Sequence, residues 1–122
     1  MLVASNKDPE DAMNIALSPT ALDNENRNYF GTGARSQENH THGFRPAFMD
    51  ALTGIVYRSC FSDGRPAPFH LLDGLPDEVV LTRNSSGRVV SVRSSVVSGF
   101  LLDGQFYTRE EAASWASRQL LH

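Results

Sequence analysis

A single cysteine, Cys60, stands in a chain of 122 residues, which excludes an intrachain disulfide framework and any zinc or iron–sulfur site built on several thiolates. Stability must come from packing. No apolar run reaches the 18 or more residues of a membrane-spanning helix, so no membrane association is expected. The opening Met1-Leu-Val-Ala-Ser-Asn-Lys-Asp8 has neither the charged start nor the apolar stretch of a secretory signal, and the expected address is the cytoplasm. Lysine is nearly missing: ten of the eleven basic residues are arginine, and fourteen acids leave a formal net charge of −3. The basic excess usual in proteins that hold nucleic acid non-specifically is therefore absent. Arginine does offer local recognition, because its guanidinium forks onto carboxylates, phosphates and aromatic faces.

The charge is unevenly placed. Residues 1–42 carry three basic and six acidic side chains, whereas 43–122 carry eight of each. Nearly all the valine, phenylalanine and tyrosine lies in the second part, and the first is rich in Asn, Ser, Thr and Gly. The expected organisation is a polar, partly disordered arm over 1–42 followed by a compact domain over 43–122. Within the arm, Asp8 and Pro9 resemble an N-cap and first helical residue, with Ala12, Met13, Ala16 and Leu17 on one face and Ser18-Pro19 as the stop. From Asp23 to His42 no period emerges, and the expectation is a long irregular segment pinned by Tyr29 and Phe30.

The domain reads as hairpins followed by a helix. Phe44–Met49 and Ile55–Phe61 flank Asp50-Ala-Leu-Thr-Gly54, with Pro46 suggesting an edge strand. Glu78–Arg83 and Arg88–Arg93 are joined by Asn84-Ser-Ser-Gly87, and Val96–Leu102 meets Gln105-Phe-Tyr107 across Asp103-Gly104. Thr108-Arg-Glu-Glu111 is a capping box, and Ala112, Ala113, Trp115, Ala116 and Leu120 mark a buried stripe beyond it. The fold class expected is α+β: a mostly antiparallel, twisted sheet of five or six strands, a C-terminal helix packed on one face, and an irregular or helical N-terminal arm. Residues 62–76, with three prolines and two Asp-Gly pairs, must form a structured loop anchored by Phe69, Leu71, Leu72 and Leu75.

Few residues are left for chemistry. His40 and His42 would face one side of a strand, but no third ligand spacing accompanies them and no metal or cofactor is expected. His70, flanked by apolar anchors, reads as a hydrogen-bonded staple before it reads as a general base. Asp50, Asp63, Asp73 and Asp103 sit at turns, Asp8 at a cap, and Glu110 and Glu111 at a helix start, so no carboxylate pair is forced to face another. Cys60 beside Arg58 reads as a small packed side chain, and neither Ser59, Ser94 nor Ser95 has a nucleophile setting. Gly31-Thr-Gly-Ala-Arg-Ser36 looks like a phosphate loop only faintly, lacking its third glycine and its lysine, and reads as flexible chain.

The run His42-Gly-Phe-Arg-Pro-Ala-Phe-Met-Asp50, then Thr53-Gly54, the stretch Phe61–Pro76, and Gly99-Phe100 ahead of Phe106–Ala113 resemble a group of short uncharacterised bacterial proteins associated with genomic islands and other mobile elements. The resemblance covers about residues 28–115 and is distinctive only over 42–76. It implies a setting and carries no activity and no catalytic residues. The function expected is binding: an accessory or inhibitory factor that docks on another protein or on a second copy of itself, through the arm and the long loop, with Tyr29, Phe30, Arg65, Phe69, His70 and Leu72 as contacts. One alternative is a nucleic-acid-binding regulator using Arg83, Arg88 and Arg93 on a sheet. Another is a small hydrolase or transferase centred on His70 with Arg65 and Asp63.

Overall fold

A computed structural model describes residues 16–120; the helix expected from Asp8 lies largely outside them. The class is α+β. Among the described residues three helices, α1 (Pro19–Asn28), α2 (Ser36–Asn39) and α3 (Arg109–Leu120), accompany six strands: β1 (Arg45–Asp50), β2 (Val56–Arg58), β3 (Val80–Arg83), β4 (Val89–Val92), β5 (Val96–Leu102) and β6 (Gln105–Thr108). The three expected hairpins form, but they do not join into one sheet. A four-stranded antiparallel sheet runs β2-β1-β5-β6, and β3-β4 stands apart as a ribbon. Within the ribbon, β3 and β4 pair with register shifts on both sides of Thr82.

β1 is a central strand in spite of Pro46. In an antiparallel pair the N and the C=O of one residue point to the same neighbour, and the Pro46 carbonyl accepts from Ser59 N on the β2 side at 2.9 Å. The reciprocal donor that proline lacks is replaced, because the Ser59 carbonyl takes the Ala67 N–H instead at 2.9 Å. β2 therefore ends where Pro46 begins, and the chain peels away into the long loop. A further expectation, the Asp103-Gly104 turn, is met by positive φ at both residues, 52° and 82°. The capping box also forms: Glu111 N donates to Thr108 Oγ1 at 3.1 Å, and Thr108 N donates to Glu111 Oε1 at 2.8 Å.

Two apolar clusters lie on one face of the large sheet. The first joins Phe48 and Val96 to Leu72, Leu75, Val79, Val89 and Val92, and the second joins Phe44 and Phe100 to Ala34 and Ala112. Both reach into the segment read as a polar arm. Ser18-Pro19 starts a helix where a stop was expected: Ser18 Oγ accepts from Ala21 N at 3.1 Å, and Pro19 occupies the first turn. Leu17 before the cap and Leu22 in the first turn both enter the first cluster, a hydrophobic staple. The stretch 23–42 is thus helical in two places rather than irregular, and Tyr29 and Ala34 belong to the second cluster. The glycine-rich loop is pinned too, since the N–H groups of Gly31 and Gly33 both donate at 2.8 Å to the Glu38 carboxylate. Those are the groups a phosphate would have needed.

Gly99 on β5 has no room for a side chain. A Cβ there would run into the Tyr107 carbonyl and the Phe106 ring. Gly99→Ala is expected to destabilise by about 1–3 kcal/mol, read as a lowered urea midpoint with the slope unchanged.

Candidate functional site

Arg109 is the first residue of α3 and only 4% exposed. A cation at a helix N-terminus faces the positive end of the dipole, and burial costs it further, pulling its pKa down. Its neighbours offset both. The Nε–H is shared between Glu25 Oε1 on α1 and Ser98 Oγ on β5, each at 3.2 Å; Nη1 donates to the Ala34 carbonyl at 2.9 Å; and Nη2 donates to His70 Nδ1 at 3.1 Å. Ser98 Oγ in turn donates to Glu25. The guanidinium lies 5.7 Å from the Phe100 ring centroid. One residue thereby ties together α1, the loop before α2, the long loop, β5 and α3.

His70 completes this network. Its Nε2 lies 2.7 Å from the Gly99 carbonyl, an acceptor, so Nε2 carries the proton and Nδ1 receives Arg109. Burial first, and the Arg109 charge second, push its pKa down to about 3. The ring stands edge-on to Phe48 and Phe100 at 5.4 and 5.1 Å. Both nitrogens are engaged, the arrangement of a staple. Asp63 and Arg65 do not join it: they pair with each other at 2.7 Å on an exposed turn, with Arg65 over Phe61. The trio proposed for an enzyme therefore does not converge.

The long loop is set by Ser59, which is almost wholly buried. Its Oγ donates to the Phe69 carbonyl and accepts from Leu71 N, both at 2.8 Å. This clamp holds Phe69 at a position where the residue is 46% exposed. Phe69 lies on the wall between two concavities. One, of about 650 Å³, runs between α1, residues 69–73 and the β3-β4 turn, with His70 and Arg109 at its floor. The other, of about 640 Å³, lies beside β1 and β2 and is lined largely by Phe44, Pro46, Pro66, Ala67 and Pro68. Both volumes suit a bound segment or small molecule.

The remaining candidates scatter. Leu72 is 3% exposed and belongs to the core, so it is no contact residue. Tyr29 is half-buried in the second cluster, and burial, with Glu110 and Glu25 nearby, raises its hydroxyl pKa. Phe30 is 73% exposed with Arg35 over its ring, and it does not pin the segment. Arg83 pairs with Asp77 and Arg88 with Asp73, while Arg93 is exposed. His40 and His42 fall on a 3₁₀ turn, not a strand, and His42 stacks edge-on against Trp115. Among the described residues no three of His, Cys, Asp and Glu come together, and no helix is long and apolar enough to cross a membrane. Ser98, Glu25 and Arg109 carry the network around His70, and none of the three was a site candidate from sequence; Ser59, weighed there only as a nucleophile, holds the long loop instead. The chain matches no family model, no curated protein and no solved structure.

Proposed function

We propose that this protein is a non-catalytic docking protein, an accessory or inhibitory factor that grips another protein through the ledge at Phe69. The observation that carries the reading is the Phe69 ring itself, exposed yet clamped at its backbone by Ser59 between two concavities. A backbone held in place before binding, with the ring edge-on to Phe61 at 6.2 Å, loses little further entropy on contact, which is the property of an interface anchor. The resemblance over 42–76, which contains Phe69, favours a mobile-element setting for the partner. A reaction at His70 is less well supported, since neither ring nitrogen is free to take a proton from a substrate.

The test is affinity capture from the native host with wild-type protein and Phe69→Asp. Wild type is expected to retain one protein in stoichiometric amount, and the variant to lose roughly nine-tenths or more of it, as for an interface anchor. Repeated recovery of wild type alone, or equal capture by the variant, overturns the reading.

A further inference from the structure

We infer that the groove beside β1 and β2 takes an extended stretch of a partner protein in which acidic residues accompany an apolar side chain. The inference rests on the docking reading and adds the chemistry of the docked segment. Its basis is how the arginines are used. Arg27, Arg35, Arg65, Arg83, Arg88 and Arg109 each meet a carboxylate of this chain. Arg45, Arg58, Arg93 and Arg118 do not, among the described residues, and the first two line this one groove. Arg45 Nη1 donates to the carbonyls of His40 and Phe44 at 3.0 and 2.9 Å, contacts that aim the head without neutralising it. No Asp or Glu lines the groove, and its floor is proline, alanine and phenylalanine.

Geometry narrows the occupant. Arg58 faces Ala47 across the β1-β2 pairing, so Arg45 is its diagonal neighbour, and such positions stand about 7 Å apart. Side chains on one side of an extended chain recur at about the same interval, so two carboxylates two residues apart match the two guanidiniums. Nucleic acid fits less well, because phosphate-backbone binding is built from roughly 6–10 cationic contacts, and here two unpaired arginines flank an apolar floor.

A random dodecapeptide phage library panned on the immobilised full-length protein tests this. The expected consensus places Asp or Glu around Leu, Phe or Trp. The synthetic consensus peptide should bind Arg58→Glu at least roughly tenfold more weakly, and wild type several-fold more weakly on going from about 50 to about 300 mM salt. Arg58 is exposed, so an unchanged thermal midpoint shows that Arg58→Glu still folds; Arg45→Gln supplies a second, milder loss. A consensus without acids, no consensus at all, or one indifferent to Arg58→Glu overturns the inference. So does a single-stranded oligonucleotide that binds tighter than the peptide and is lost in the same variant. If acidic peptides fail while Phe69-dependent capture persists, only this inference falls; if capture fails too, the docking reading falls with it.

Discussion

Arg109→Met is expected to cost about 3–5 kcal/mol of stability, the scale for removing one partner of a buried charge pair. For a domain of this size that corresponds to a fall in Tm of roughly 10–20 °C. The substitution keeps much of the side-chain volume, so the loss is not a cavity effect. It leaves the Ala34 carbonyl and His70 Nδ1 without their donor and the partly exposed Glu25 carboxylate with the Ser98 hydroxyl alone. Arg109→Lys should fall between, because an ammonium can meet Glu25 but cannot span four acceptors with a planar fork. Adding Glu25→Gln to Arg109→Met should recover part of the loss by removing the stranded charge. Urea unfolding of the four proteins measures all of this, and a loss under about 1 kcal/mol in Arg109→Met would show that the network is decorative.

The second large effect is acid lability through His70. Its folded-state pKa, about 3, lies well below the ordinary value of 6.5. Above pH 6.5 both folded and unfolded chains hold the ring neutral, and its contribution is full. As pH falls below 6.5 the unfolded chain takes up a proton that the folded chain refuses, and stability drops until about pH 3. The limiting slope is about 1.4 kcal/mol per pH unit, and because the ring is not wholly sealed, a loss of about 2 kcal/mol between pH 6.5 and 4.5 is expected. Asp50 and Asp63 are held below the usual carboxylate range, chiefly by the Ser95 hydroxyl and by the Arg65 N–H respectively, so they add their losses only at lower pH. His70→Gln should remove the slope in the upper window. Proton NMR of the ring gives a direct check: a His70 resonance that titrates near pH 6.5 in the folded protein would sink the account.

Signals confined to a few neighbouring residues were legible in the sequence. Asp103-Gly104, the Asp50–Gly54 turn and the Thr108–Glu111 box each rest on interactions within the pattern that announces them. Signals needing a distant partner were not. Ser18-Pro19 starts a helix or ends one according to whether Leu17 and Leu22 have a core to enter, and that core is made by Phe48, Leu72 and Val89. Pro46 argued for an edge until Ala67 supplied the hydrogen bond it could not make. His70 could be read as a staple because apolar anchors flank it. Arg109 could not be read, since inside a capping box it looks like any solvated helix residue, and its four acceptors lie 11 to 84 positions away.

That last spread bears on how the chain matures during synthesis. Glu25, Ala34, His70 and Ser98 are all added to the chain before residue 109, so the Glu25 carboxylate and the Ala34 carbonyl wait for a donor more than seventy peptide bonds downstream of Ala34. Over the same interval Leu17, Leu22 and Ala34 lack the later core residues Val96, Phe100 and Ala112, so the polar and the apolar side chains of this stretch are satisfied together, near the end of synthesis.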